Sequence, residues 1–319
     1  MLLTVTMNPC IDRIATIERF NRGGMNRVTD TRDEANGKGI NVSVAYKCLG
    51  GATKCLGFYY WQGGGALLTK LSNYGIPHEL VKVDGALRVN TKIFEQASRV
   101  TTELNEPGRP VTEKNLDDLK NTILKNGRVG DVVVLTGSVP HNVPDSVYGE
   151  IISMLSGRGV KIALDAEGGL LVNGLKGGEV FIIKPNLYEL EKTFGCKIAD
   201  TDDLLAVSRE IALSGVRYVC VSMGKFGAFL DDGARAYIVR PPNISVNSTQ
   251  GAGDAMLAGV CYALENRYSA ADALRMGVAA SSAALTQFQT SFCDKDKTED
   301  FFEILRAQEV KEGSPVIIN

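Results

Sequence analysis

Histidine is scarce in this chain: among 319 residues only His78 and His141 occur. That argues against a His-rich metal centre and against a Ser–His–Asp triad, and each reads as a surface or loop residue. An excess of one charge is lacking too. Thirty-five Lys and Arg against 37 Asp and Glu leave a net charge of −2, so there is no basic stripe for nucleic acid and no bulk attraction to an anionic membrane. No apolar run reaches the length of a membrane span, and residues 2–7 are too short, and lack the basic flank, for a signal peptide. The seven cysteines are scattered with no C-x-x-C pair, a pattern of reduced thiols that predicts a cytoplasmic protein. Neither a G-x-G-x-x-G fingerprint nor the Walker A spacing occurs, which removes the main support for a dinucleotide oxidoreductase or a P-loop. Repeats, low-complexity segments and linkers are absent as well.

What is present is organised around Gln250–Gly251–Ala252–Gly253–Asp254. Met256, Leu257, Val260, Cys261 and Leu264 follow at helical spacing, so the glycines open a helix. Small residues there leave backbone N–H groups accessible to an anion. A carboxylate beside an anion hole suits phosphoryl transfer, with the amides taking charge on the moving phosphate and Asp254 receiving the hydroxyl proton. The plain alternative is a helix start with Gly for the turn and Asp for the dipole. A second small-residue helix start is Gly37–Lys38–Gly39–Ile40–Asn41, where Lys38 can meet an anion and Asn41 can face the same space one turn on.

Strands and helices alternate. Residues 2–7, 54–58, 81–83, 132–135, 160–164, 180–183 and 218–221 read as strands, with helical patterns between most of them. The run at 132–135 is continuously apolar, as in a parallel sheet covered on both faces. Two short strands, 228–230 and 236–239, precede the organising turn, and helices over about 270–287 and 299–306 end the chain. This pattern predicts one α/β domain over 1–319, doubly wound, with a mostly parallel central sheet and flanking helices. Residues 13–34 and 87–105 are polar and alternating, and predict exposed strands of a small inserted sheet, a lid or a dimer surface, with Arg88 at its base. Asp12, Ser138, Asp165, Lys184, Asn186 and Ser222 fall at successive strand ends, where α/β sheets bind ligands. Asn186 and Glu189, three apart, suit Mg²⁺ held largely through water, or simply cap a helix. Gly224 and Gly227 would let a backbone approach a nucleotide, or make a hairpin turn.

Five motifs occur in order: Thr4–Val5–Thr6–Met7–Asn8–Pro9–x–x–Asp12, Gly37–Lys38–Gly39–Ile40–Asn41–Val42, Gly137–Ser138–Val139–Pro140, Lys184–Pro185–Asn186–x–x–Glu189–Leu190 and Gly251–Ala252–Gly253–Asp254. On these the chain resembles, over essentially its whole length, the ribokinase-like sugar kinases of the phosphofructokinase B type, above all the branch with 1-phosphofructokinase and tagatose-6-phosphate kinase. The resemblance implies a ribokinase-like sheet with a β lid that often forms a homodimer surface. It implies Asp254 as catalytic base with Gly251, Ala252 and Gly253 as anion hole. It implies Asp12, Gly37 and Asn41 on the sugar hydroxyls, and Lys184, Asn186, Glu189, Ser222, Gly224 and Gly227 on the ATP and Mg²⁺ side. Arg27, Lys38, Arg88 and Ser138 would hold a phosphate already on the sugar. Three cations around one small substrate call for a dianion to neutralise them.

The expected reaction is transfer of the γ-phosphoryl group of ATP to the free primary hydroxyl of a phosphorylated ketohexose, first of all fructose 1-phosphate. Tagatose 6-phosphate, fructose 6-phosphate or an unphosphorylated sugar stay open as acceptors, and a non-catalytic sugar-phosphate sensor is the rival of another class. The helix N-terminus is expected to depress the pKa of Asp254. Four positions depart from the branch. Asn36 stands for the first Gly of Gly-Gly-Lys-Gly, where a positive φ would keep the turn and place its side chain at the rim of the sugar pocket. Leu87 stands for Thr, Gln250 for an apolar residue and Ala255 for Ser.

Overall fold

The computed structural model of the protein describes residues 1–287, 290, 292–313, 316 and 318. The chain opens with β1 (Leu2–Thr6), β2 (Cys10–Ile17), β3 (Asp30–Asn36), α1 (Lys38–Cys48), β4 (Thr53–Gln62), α2 (Gly65–Asn73) and β5 (His78–Ala86). It continues through β6 (Arg88–Glu95), β7 (Val100–Leu104), α3 (Glu113–Asn126), β8 (Val132–Thr136), α4 (Val147–Leu155), β9 (Lys161–Asp165), α5 (Gly168–Leu175) and β10 (Val180–Ile183). Then follow α6 (Leu187–Phe194), α7 (Thr201–Ala212), β11 (Val216–Ser222), β12 (Ala228–Asp231), β13 (Ala236–Val239), α8 (Ala252–Glu265), α9 (Ala270–Leu285), α10 (Lys295–Ile304) and β14 (Ala307–Val310).

Ten strands form the main sheet in the order β14-β13-β12-β11-β10-β9-β8-β1-β4-β5. From β11 to β5 all neighbours are parallel, and β12, β13 and β14 add an antiparallel edge. β1 lies between β4 and β8, with Thr6 opposite Gly57 on one side and Thr136 on the other. The chain steps from β1 to β4 and β5 in one direction, returns to β8, and steps through β9, β10 and β11 in the other. The gap between β1 and β8 is therefore the topological switch point, where α/β sheets bind ligands beyond their carboxyl ends.

The continuous apolar run of β8 has the expected cause. Its five residues are all buried, with Val133 and Leu135 in one apolar cluster and Val132 and Val134 in the other. The first cluster takes Leu67 and Leu71 of α2, Leu119 of α3, Ile151 of α4 and Leu190 of α6; the second takes most of α8 and α9. Each large side chain so buried is worth about 1.5–3 kcal/mol relative to exposure.

The small sheet has the order β3-β2-β6-β7, with β2 parallel to β6 and antiparallel pairs at both edges. Its strands come from residues 10–36 and 88–104. β2 starts at Cys10 and is not a solvated strand, for Cys10, Asp12, Ala15 and Ile17 are buried. As an inner strand it faces the main sheet's ligand edge, whereas β7 is exposed throughout. The tail differs too. α9 stops at Leu285, α10 runs from Lys295 to Ile304, and residues 307–310, beyond the expected last helix, are an edge strand on β13. All seven cysteines are free, and no helix among the described residues is long and apolar enough to cross a membrane.

Candidate active site

A cleft of about 700 Å³ lies between the small sheet and the switch point of the main sheet. Thr6 and Thr136, from the ends of β1 and β8, line its floor. Two helix N-termini open onto it. At α1, Gly37 offers no side chain to cap the helix, and the hydroxyl oxygen of Thr6 accepts from the Ile40 amide at 3.0 Å instead. At α8, Gly251 takes the left-handed conformation (φ 72°) that turns the chain into the helix. The amides that follow it in the first turn have no intrahelical acceptor. Gly251 and Asp254 line the cleft alongside Gly37, Lys38 and Asn41, so the two small-residue starts meet at one site.

Asp254 is buried, and its Oδ2 accepts from the Asn41 amide at 3.0 Å. Its pKa is raised, contrary to the depression expected from the helix terminus. Burial is the main cause and the nearby Asp165 charge adds to it, while Lys38, Asn41 and Lys184 pull the other way without prevailing. Desolvation of a carboxylate exceeds the modest effect of a helix end. The result is a stronger base than a solvated aspartate.

Asp165, at the end of β9, is the electrostatic centre beside it. Its Oδ2 accepts from the Thr136 hydroxyl at 3.0 Å and lies 3.6 Å from Lys38 Nζ, and its Oδ1 lies 3.3 Å from Lys184 Nζ. Burial pushes its pKa up, but Lys184 and then Lys38 outweigh it and hold the carboxyl below the ordinary range. The same contact raises the pKa of Lys38. A Cβ on Gly253 would stand 3.4 Å from Lys184 Nζ, which places that ammonium against the start of α8.

On the small-sheet side, Asp12 is buried and receives four donors: Asn36 Nδ2 at 2.9 Å, Asn90 Nδ2 at 3.0 Å, Lys92 Nζ at 3.2 Å and Cys10 Sγ at 3.4 Å. Burial raises its pKa, yet Lys92 and the two amides more than offset that and hold it low. Asn36 ends β3 and is not in the left-handed region, so the positive φ expected there is not used. Ser138 lines the cleft, and its hydroxyl oxygen accepts from Asn8 Nδ2 at 3.1 Å. Arg88 lines it too, but most of its N–H groups go to carbonyls of Asn8 (2.8 Å), Pro9 (3.3 Å) and Glu106 (2.7 Å).

Asn90 and Lys92 also line the cleft, although no sequence motif marks them. The signal was there: Arg88, Asn90 and Lys92 alternate along one face of β6, and Asn90 pairs in register with Asp12. The polar face of this hairpin looks into the cleft and not into solvent.

The remaining expected residues do not line the cleft. Arg27 is exposed in the β2–β3 connection, and Lys92 is the third cation at the cleft in its place. Asn186 and Glu189 form a reciprocal capping box on α6: the Asn186 amide donates to Glu189 Oε2 and the Glu189 amide to Asn186 Oδ1, both at 2.8 Å. Glu189 is close enough for its charge to act on Lys38. Ser222 bridges to Asn186 between β11 and α6. Gly224 (φ 56°) and Gly227 (φ 100°) shape the tight connection from β11 to β12. Among the described residues no cluster of three or more His, Cys, Asp or Glu could hold a metal directly.

A buried carboxylate at a helix N-terminus, two lysines sharing one aspartate beside it, and a polar cleft beneath the small sheet are groups that suit phosphoryl transfer to a hydroxyl acceptor. Comparison with known proteins gives the same class. The chain belongs to the pfkB family of carbohydrate kinases, whose profile matches residues 5–297. It is 32% identical to a 1-phosphofructokinase of Borreliella burgdorferi over 97% of this chain and 99% of that one. It is 31% identical to a 1-phosphofructokinase of Bacillus subtilis over 96% and 97%. Among solved structures, phosphofructokinase-2 from Escherichia coli in complex with substrates and products superposes with a TM-score of 0.89 at 29% identity, over 95% of this chain and 98% of that one.

Proposed function

We propose that this protein transfers the γ-phosphoryl group of ATP to the free primary hydroxyl of fructose 1-phosphate, giving fructose 1,6-bisphosphate and ADP. The observation that carries the reading is one cleft lined at once by Asp254 and by three cations, Lys38, Arg88 and Lys92. Lys38 and Lys92 are partly matched by Asp165 and Asp12, but Arg88 is held by carbonyl oxygens rather than by a carboxylate, and a phosphate on the sugar supplies the anion for it. The 1-phosphofructokinases among the relatives favour this acceptor.

In this mechanism Asp12, with Asn36 and Asn90, orients the sugar hydroxyls, and the reactive hydroxyl faces Asp254. Its oxygen attacks the γ-phosphorus as the bond to ADP breaks, and its proton passes to the Asp254 carboxylate. The amides of Ala252 and Gly253, with Gly251 setting the turn, and the Lys184 ammonium take up charge on the transferring group, the usual role of oriented donors in such a loose transition state. Ser138 and the remaining N–H of Arg88 bind the phosphate already on the sugar. Asn186, Ser222, Gly224 and Gly227 stand on the nucleotide side. The capping box uses one oxygen of Glu189, and the other suits Mg²⁺ held through water. Mg²⁺ would neutralise charge on the nucleotide phosphates. Exposed Phe20, Met25 and Val28 in the β2–β3 connection and Val100 and Leu104 on β7 support a homodimer through that lid. Arg27 in its exposed loop would reach a phosphate only from such a partner. The free thiols suit a cytoplasmic setting.

The test is ADP formation with Mg²⁺ against fructose 1-phosphate, tagatose 6-phosphate, fructose 6-phosphate, fructose and ribose, compared as kcat/KM. The expected result is a clear preference for fructose 1-phosphate. Preference for another phosphorylated ketose keeps the mechanism and changes the acceptor; activity on the unphosphorylated sugars alone overturns the phosphate site.

A further inference from the structure

Behind the cleft, outside its lining, the side chain of Lys70 leaves the last turn of α2 and turns inward. Its Nζ donates to Ala35 O at 2.9 Å, to Asn36 Oδ1 at 2.7 Å and to Asn41 Oδ1 at 3.4 Å. These are the two asparagines whose amide nitrogens donate to Asp12 and to Asp254. An ammonium is a donor only, so the atom each amide turns toward it is oxygen, and each NH₂ then points the other way, at a carboxylate. Burial lowers the pKa of Lys70, and the charges of Glu34 from β3, Asp12 and Cys10 from β2, and Asp254 from α8 oppose that without prevailing, while Cys55 of β4 is also within its electrostatic reach.

We propose that Lys70 is a positioning residue for phosphoryl transfer: one ammonium fixes the amides of Asn36 and Asn41 and through them sets the sugar-binding carboxylate Asp12 and the base Asp254. The inference rests on the reading of the cleft given above. The cation serves the two carboxylates in different ways, first at Asp254. A carboxyl whose environment favours protonation can itself become a donor, and an amide beside it can then flip to accept. Lys70 holds Asn41 in the orientation that serves the ionised, basic form. At Asp12 the same relay supplies one of the four donors that keep the carboxylate charged. The two arms differ in strength. The contact to Asn36 at 2.7 Å is a full charge-assisted hydrogen bond, whereas that to Asn41 at 3.4 Å is weak. Lys70 therefore acts more on sugar binding than on turnover.

The experiment compares Lys70→Met, Lys70→Arg, Asn36→Leu and Asn41→Leu with the wild type, using whichever acceptor the wild type phosphorylates best. Lys70→Met is expected to raise KM for the sugar at least about tenfold, the scale of a lost charge-assisted hydrogen bond. Its kcat should fall by a smaller factor, and KM for ATP should stay within about twofold. The acid limb of kcat should move to higher pH, since a cation is lost near both carboxylates. Asn36→Leu should reproduce the sugar KM effect, Asn41→Leu the turnover effect, and Lys70→Arg, also a donor-only cation, should recover most of both. Wild-type sugar KM in Lys70→Met, or equal rises for sugar and ATP, overturns the proposal. The crystal structure of Lys70→Met gives a readout free of activity. Both amides still oriented onto Asp12 and Asp254 at hydrogen-bond distance would overturn the proposal; either amide flipped or displaced supports it. If the wild type phosphorylates no acceptor, the kinase reading fails by itself and that structure still decides the role of Lys70. If Lys70→Met does not fold, Lys70→Gln, neutral and of similar shape, takes its place: a wild-type sugar KM with both amides still on Asp12 and Asp254 overturns the proposal, and a raised sugar KM with an unchanged KM for ATP supports it.

Discussion

Lys184 Nζ and Asp165 Oδ1 face each other at 3.3 Å, both almost wholly removed from water. They follow directly on Ile183 and Leu164, which are paired in register between β10 and β9, so the backbone delivers the ion pair without a long loop. Removing one member of such a pair leaves the other buried and unmatched, a loss of about 3–5 kcal/mol. Asp165→Asn should therefore lower the urea midpoint at pH 7 substantially. The sign with pH follows from the lowered pKa. The unfolded chain binds the proton more readily, so the stabilisation is present above the unfolded pKa and is lost as pH falls through the folded one. Wild type and variant should converge in acid; parallel curves down to pH 3 would count against the pair.

Asp254 predicts the opposite sign. Its pKa is raised, chiefly by burial, so the folded chain binds the proton more readily. Any stability it contributes is present at low pH and is lost as pH rises through the folded pKa. Asp254→Asn should then melt higher than wild type at pH 8, with the difference shrinking toward pH 4. Turnover should fall at least about a hundredfold, the scale of a general base, with substrate binding retained. The acid limb of kcat in wild type should lie above the ordinary carboxylate range. Near-normal turnover in the variant would remove Asp254 from the chemistry.

Lys92 and Arg88 share a face of β6 but are used differently. Arg88 braces the carbonyls of Asn8, Pro9 and Glu106, so Arg88→Ala should both lower Tm and raise KM for the sugar phosphate. Lys92 contacts Asp12 at 3.2 Å, and Asp12 retains its amide donors when it is removed. Lys92→Met should raise KM for a phosphorylated sugar by about tenfold or more and, because it leaves the buried Asp12 carboxylate without its cation, should also lower Tm, with KM for ATP changed little. Equal KM effects on sugar and ATP would exclude Lys92 from the sugar side.

The parts of this site that could be read from sequence are those fixed by local geometry. Gly251–Asp254 and Gly37–Asn41 announce themselves because small residues at a helix start have few other reasons to precede an apolar stripe. The parallel sheet shows in the apolar run of β8. What escaped depends on how distant segments pack. Asn90 and Lys92 look like the solvent face of a hairpin until β2 turns out to be buried beside them. Lys70 looks like any lysine in the last turn of a surface helix. The direction of the Asp254 pKa was misjudged because the helix terminus is visible in sequence, whereas full burial under the lid and the second carboxylate, Asp165, are tertiary facts. Arg27 follows only from the family resemblance, outside the five motifs, and the fold leaves it exposed in a loop that does not line the cleft.

Gly224 and Gly227 separate a ligand-imposed requirement from a fold-imposed one. A Cβ at Gly227 would lie 1.9 Å from Val239 O, at φ 100°. Gly227→Ala must therefore shift the β12–β13 backbone and should destabilise the protein well beyond the 1–2 kcal/mol typical of left-handed strain alone. At Gly224, φ is 56° and a Cβ would meet nothing within 4 Å. Gly224→Ala should cost only about 1 kcal/mol of stability, since no protein atom opposes it. If a nucleotide passes over this turn, the added methyl would meet the ligand instead, and KM for ATP should rise several-fold while KM for the sugar stays put. An unchanged KM for ATP in a folded Gly224→Ala would leave the turn a purely structural connection between β11 and β12 and move the nucleotide away from it.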